Sequence, residues 1–258
     1  MIDRVIPLTG IHNLRDYGGY AARGGGKLKT GLLWRSSQHV DANDVDLAAI
    51  AGLNLTTVID LRGDSERESF PCARPAGFSA HIIKVAGETT GHAPHIEAAR
   101  EVRTVADAFV SLQNGYANMP FRPQIIEIFR DYFVALSSRA GASLVHCLAG
   151  KDRTGVIVAL FHHLMGVHSD DIMADYLLTN VAGNIEARIA AAADTVRRNF
   201  GPRMSDDAMR MLMSVQPEWL DIAFEAMRER HGSVEGYAAE VLGVTTDVLA
   251  RIEVRVLA

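Results

Sequence analysis

The first third of the chain alternates short apolar runs with polar stretches punctuated by glycine. "HNLRDYGGY" followed by "ARGGGKLKTGLLWRSS" reads as a hairpin, because glycine clusters separate β-forming runs. "DANDVDLAAIAGLN" has helical spacing, with Asp41 placed as an N-cap and Gly52 near the C-terminus. "LTTVIDLR" and "SAHIIKVAG" each fit a short strand, the first rich in β-branched residues. This strand-helix-strand rhythm predicts an α/β sheet.

The texture changes between residues 88 and 119. "GETTGHAPH" is loop-like, and "IEAAREVRTVADAFVSLQNG" has helical spacing without strand neighbours. It reads as an insertion on the α/β core, either a lid over a site or one more peripheral helix. "FRPQIIEIFRDYFVALSSRAG" is a helix, "ASLVHC" a strand and "TGVIVALFHHLMG" a second helix. The remainder is nearly all helical, with Ser169, Ser205, Ser233 and Thr245 each standing where an N-cap would. The expected class is α/β: a central, mostly parallel sheet flanked by helices, with a helical insertion and a largely helical C-terminal half. With no fixed-period repeat, low-complexity segment or flexible linker in view, residues 1–258 read as one domain.

Composition narrows the partners. The 258 residues are 48% hydrophobic and 22% charged, enough for a sizeable core. Net charge is −5 and the pI about 6.0, with no run of Lys or Arg, so no nucleic-acid partner is expected. "MIDRVIPLTG" lacks a signal-peptide pattern, and no apolar run approaches the ~18 residues of a membrane span. Two cysteines, Cys72 and Cys147, do not make a disulfide framework, and a cytoplasmic setting is the expectation.

The chemistry concentrates in "LVHCLAGKDRTGVIV", Leu144 to Val158. A strand runs into a tight loop at Gly150, and a helix begins near Arg153 or Thr154. Successive N–H groups and the positive end of a helix dipole then suit a phosphate-sized anion. A nucleotide-binding P-loop fails on spacing, since its first glycine would fall at Val145 and Asp152 stands where Ser or Thr is needed. Cys147 makes the loop reactive. A free thiol is only about 3% thiolate at neutral pH, but a helix terminus and an arginine can draw out the nucleophile. Arg153 offers a planar fork for two phosphate oxygens, and Thr154 a hydroxyl within reach of the sulfur. Leu148, Ala149, Gly150, Lys151 and Thr154 are thus the expected substrate-binding positions. The implied reaction is two displacements at phosphorus through a phosphocysteine, with no metal or other cofactor. Taken alone, Cys147 would read as a small buried residue at a strand end. That bland reading is kept for Cys72 in "FPCARP".

His146-Cys147, five residues, Arg153 and Thr154-Gly155 resemble the signature of cysteine-dependent protein tyrosine phosphatases. "HCLAGKDRTG" is similar to the atypical microbial branch, described as tyrosine phosphatases with additional lipid phosphatase activity. "HNLRDYGGY", "GLLWRSSQ", "VIDLRGDSERE", "SDDIMADYLLTN" and "PEWLDIAFEAMRERHGSVEGYAAEVLGVT" resemble that branch as well. The resemblance implies hydrolysis of phosphotyrosine, extending to phosphoserine, phosphothreonine or phosphoinositides, with a phosphorylated protein or phosphoinositide as substrate. It also implies a catalytic use for the loop aspartate, Asp152.

The chain departs from conventional tyrosine phosphatases in lacking a Trp-Pro-Asp tripeptide upstream of Cys147; "NMP" at Asn118 to Pro120 carries no acid. Two carboxyls compete to protonate the leaving group: Asp152 in the loop and Asp60 at the end of "TTVID". Asp60 would otherwise be a buried partner of Arg62 or Arg153. Asp64 and Asp107 stand behind them. Lys151 would either receive a second phosphate or pair with Asp152. His146 is expected to hold the cysteine backbone, and His162 and His163 are not read as ligands. His92 and His95 have metal-like spacing but fit a solvated loop. Arg15, Asp16 and Arg35 are expected to form structural ion pairs. Two other functions remain open at this level: a phosphate-binding module without turnover, and a rhodanese-like sulfurtransferase.

Overall fold

The computed structural model of the protein describes residues 4–90, 102–186, 188–189 and 204–258. Among them β1 (Arg15–Asp16), β2 (Leu33–Ser36), β3 (Leu55–Asp60), β4 (His81–Ile83) and β5 (Ala142–His146) form one sheet in the order β1-β2-β5-β3-β4. β1 runs antiparallel to β2, and every other pairing is parallel. The expected hairpin is this β1–β2 pair, extended by an Ala21–Lys27 bridge around the glycine cluster.

The period-2 alternation of strands assigns each side chain to a face. On one face Val58 and Leu144 pack with Ile11, Leu14 and Ile50 of α1 (Asp44–Gly52). On the other, Ile59 and Val145 join the larger core, built from α4 (Pro123–Ser138), α5 (Asp152–Leu164) and α9 (Pro217–His231). These four strand residues are at most 1% exposed, and each such burial contributes about 1.5–3 kcal/mol. α5 is buried on almost every face, as a helix leading from the centre of a two-sided sheet must be.

The other α-helices among the described residues are α2 (Asp64–Ser69), α3 (Val105–Asn118), α6 (Ser169–Leu177), α7 (Thr179–Ala182), α8 (Asp206–Met213), α10 (Val234–Glu240) and α11 (Thr246–Val256). Ser205, Ser233 and Thr245 cap α8, α10 and α11 as their spacing predicts. Two expected caps move. Asn43, not Asp41, caps α1, because Asp46 three residues on completes a reciprocal capping box with it. His168, not Ser169, caps α6. α5 begins one residue before the expected Arg153, at Asp152.

Part of the helix expected between residues 88 and 119 is present as α3, while "GHAPHIEAARE", including His92 and His95, lies outside the described residues. α3 packs against α8 and α9, with the rings of Phe109 and Trp219 5.0 Å apart.

Candidate active site

The register places Ser36, Asp60 and His146 side by side at the carboxyl ends of β2, β3 and β5. Ligands of open α/β sheets bind outside such ends. Cys147 follows immediately and is 2% exposed.

From here the loop is shaped by where its carbonyls go. The His146 carbonyl accepts from Leu61 N–H at 2.8 Å and that of Leu148 from Gln38 N–H at 3.0 Å. The Gly150 carbonyl accepts from Asn13 Nδ2 at 2.7 Å and Arg35 Nη2 at 3.0 Å. In a trans peptide the next N–H points opposite to the carbonyl. Tying these oxygens outward therefore turns the N–H groups of Cys147, Ala149 and Lys151 to the concave side. The first turn of α5 adds N–H groups with no intrahelical partner. Gly150 makes the turn possible: its φ is +64°, and a Cβ there would lie 2.4 Å from the Ser36 carbonyl oxygen. Gly155 serves differently, letting the Tyr176 ring approach α5 where a Cβ would meet it at 2.7 Å.

The scaffold behind Gly150 is a buried ion network. Arg15 and Arg35, both 0% exposed, converge on Asp175 of α6 at 3.3 Å and 2.8 Å. Burial works to raise the Asp175 carboxyl, but the two arginines outweigh it and hold it far below the usual carboxylate range. Arg15 and Arg35 are thus the structural ion-pair members their motifs predicted. Asp16 is not: its carboxylate accepts from the N–H groups of Gly18 and Gly31 instead.

Arg153 emerges from the first turn of α5. Its guanidinium is held by both oxygens of Glu66 on α2, at 2.5 Å and 2.7 Å, by Thr89 Oγ1 at 2.7 Å and by the Leu61 carbonyl at 3.2 Å. Burial disfavours its charge, yet the Glu66 pair more than compensates and keeps it protonated. Sequence reasoning missed Glu66 as a partner, although it lies in "VIDLRGDSERE", the third residue of α2, which begins four residues after the last of β3. Thr154 is fully buried beside it, its hydroxyl without a hydrogen-bond partner among the described residues.

Asp60 is bound by Arg62 through both carboxylate oxygens, at 2.8 Å and 2.7 Å, which is the pairing foreseen as its alternative use. His146 lies 3.9 Å from it, and its Nδ1 is 3.3 Å from the Cys147 carbonyl, in line with the expected backbone role. Burial lowers His146 to about 4, leaving it neutral, and the His39 ring stacked on it 5.4 Å away is likewise held neutral by burial. Asp64 holds Arg67 and the Gly87 N–H, and Asp107 closes the capping box of α3.

Asp152 Oδ1 accepts from Tyr116 of α3 at 2.6 Å and lies 3.1 Å from Lys151 Nζ. Burial raises its carboxyl, but Lys151 and Tyr116 prevail and hold it below the usual range. Lys151 Nζ also donates to the carbonyls of Leu212 and Ser214, at 2.6 Å and 3.2 Å. Arg188, which sequence reasoning passed over, lies in the field of Cys147 and Asp152. His162 Nε2–H donates to the Tyr17 carbonyl at 2.8 Å, and His163 pairs with Glu235. Among the described residues no cluster of three or more His, Cys, Asp or Glu is arranged to hold a metal ion, and no helix is long and apolar enough to cross a membrane.

A cysteine at a strand end, a loop with its carbonyls tied outward and an arginine in the following helical turn thus stand together at the carboxyl end of an α/β sheet. The chain belongs to the tyrosine phosphatase family, whose model matches residues 6–258. It is 30% identical over 240 residues to a Cupriavidus necator protein (H16_A0669) that bears a tyrosine-protein phosphatase name, covering 91% of this chain and 82% of that one. It is 26% identical over 260 residues to the triple specificity protein phosphatase PtpB of Mycobacterium tuberculosis, covering 89% and 91%. Among solved structures, P. aeruginosa TpbA aligns with a TM-score of 0.35 at 17% identity, over 76% of this chain and 96% of that one.

Proposed function

We propose that this chain, acting as one domain in the cytoplasm, hydrolyses phosphotyrosine through a phosphocysteine on Cys147. The observation that supports it most is the loop itself: outward-tied carbonyls around Cys147, with Arg153 held in the adjoining helical turn by Glu66. Cys147 Sγ attacks phosphorus, the phenol oxygen leaves with a proton, and water then releases phosphate and regenerates the thiolate. Loop N–H groups and Arg153 carry the charge of the equatorial oxygens, where phosphoryl transfer needs stabilisation. The Thr154 hydroxyl, without a hydrogen-bond partner among the described residues, steadies the sulfur as it leaves.

Asp152 is the better acid of the two candidates. Asp60 has both oxygens engaged by Arg62, whereas Asp152 has Oδ2 in no hydrogen bond among the described residues. A specificity wider than phosphotyrosine is supported by the triple specificity in the name of the PtpB relative, and the loop's resemblance points to phosphoserine, phosphothreonine and phosphoinositides as the further substrates. Phosphate release from a phosphotyrosine peptide, with a phosphoserine peptide and a phosphoinositide alongside, tests the reading. Turnover is expected for wild type and none for Cys147→Ser. Peptide binding without turnover by wild type would favour a binding module instead.

A further inference from the structure

Lys151 and Tyr116 meet on one oxygen of Asp152. Lys151 is 4% exposed, and an ammonium has three N–H donors. Among the described residues its three polar partners are the Leu212 carbonyl in the last turn of α8, the Ser214 carbonyl just beyond it and Asp152 Oδ1. A cation at a helix C-terminus is favoured by the helix dipole. All three donors are therefore engaged within the protein, leaving none for a second phosphate. Tyr116, 1% exposed, donates its hydroxyl proton to the same Oδ1 and shares a 2.8 Å hydrogen bond with Tyr176 of α6. Its ring stacks 6.2 Å from Trp219 of α9, which fixes it in place.

The two contacts join the loop to α3 and α8, which also pack on each other through Ala108 and Ala208. Resting on the phosphatase reading above, we propose that Tyr116 and Lys151 are positioning residues that anchor Asp152 through Oδ1, so that Oδ2 alone passes the proton to the departing oxygen. One carboxylate oxygen is fixed and the other works. The proton moves from Oδ2 to the phenolate oxygen as the P–O bond breaks, and returns to Oδ2 from the attacking water. The other charged or titratable groups facing Asp152 are Arg153 from α5, Tyr176 from α6 and Arg188 beyond α7.

The test is the pH dependence of kcat on a phosphotyrosine peptide for wild type, Tyr116→Phe, Lys151→Met and Asp152→Asn. Each positioning variant removes a donor from the carboxylate, so the descending limb should move up by about one pH unit. The inhibition constant for inorganic phosphate should change by less than about twofold, because neither side chain touches the phosphate and the Lys151 backbone N–H is kept in the variant. In the Asp152→Asn background, Tyr116→Phe should have no further effect on kcat, since its target is gone. A limb that stays in place while kcat falls, or an additive double variant, would overturn the proposal. So would a tenfold weaker phosphate affinity in Lys151→Met, which would make Lys151 a ligand. Should Tyr116→Phe not fold, Lys151→Met carries the same test. Cys147→Ser run in parallel keeps the two readings apart: turnover lost there with an unmoved limb refutes the anchoring alone, and turnover retained there refutes the phosphocysteine.

Discussion

Replacing Gly150 by alanine challenges the loop at its tightest point. The residue sits at φ +64°, a left-handed conformation that costs an L-residue about 1–2 kcal/mol. The added Cβ would also lie 2.4 Å from the Ser36 oxygen and 2.7 Å from the Ser37 nitrogen. Both are backbone atoms anchored at the end of β2, so they cannot swing aside like a side-chain tip. Ordinary contact begins at 3.4 Å, so the loop must withdraw by about 1 Å (3.4 − 2.4). That withdrawal pulls the Gly150 carbonyl from Asn13 and Arg35, each bond contributing about 1 kcal/mol. Strain and lost bonds together predict a stability loss of about 2–4 kcal/mol, or roughly 5–15 °C in Tm. A 1 Å misplacement of reacting groups costs about 10²-fold in rate. Gly150→Ala should therefore lower kcat/KM on a phosphotyrosine peptide about 100-fold, assayed well below its Tm. Wild-type kcat/KM in a variant with lowered Tm would refute the argument, showing that the outward-tied carbonyls do not set the reactive geometry.

Other perturbations test separate parts. Glu66→Gln leaves the buried Arg153 with a neutral partner, so kcat should fall about 10–100-fold and Tm should drop, because breaking a buried pair costs about 3–5 kcal/mol; equal kcat in steady-state assays would contradict this. Asp175→Asn strips two fully buried arginines of their counter-charge, and urea unfolding should show a loss of about 3–5 kcal/mol. Acid should destabilise the protein before its carboxylates protonate. His146 is held neutral to about pH 4 when folded but takes a proton near pH 6.5 when unfolded, so its contribution is present above 6.5 and is lost as pH falls towards 4. Between pH 7 and pH 5 that amounts to about 2 kcal/mol in urea unfolding, and it should disappear in His146→Gln.

What the sequence disclosed and what it hid divide by chain separation. Cys147, Gly150, Arg153 and Thr154 lie within one strand-loop-helix unit, where covalent geometry ties spacing to shape, so the loop was legible from its letters. Glu66 lies 87 positions from Arg153, and Tyr116 lies 36 from Asp152. Nothing in their local patterns requires those partnerships, which arise only when α2 and α3 pack beside the loop. Asp175 is hidden for the same reason, 160 residues from Arg15. Its segment resembles the family, but spacing does not reveal that one carboxylate serves two arginines. Lys151 shows the reverse problem. Its place in the loop invites a phosphate, whereas the carbonyls that hold it belong to the end of α8, a helix that periodicity places in the chain but not in space. The α1 cap shifted from Asp41 to Asn43 on a reciprocal contact with Asp46, a pairing written in the sequence two residues beyond the first capping residue met.

The most direct test of the central claim is a rapid acid quench during turnover of a phosphotyrosine peptide, followed by mass measurement of the peptide that carries Cys147. The account predicts a phosphate's mass on that peptide in wild type, absent from Cys147→Ser and decaying as inorganic phosphate appears. Turnover at the wild-type rate with no phosphate ever found on Cys147 would contradict it.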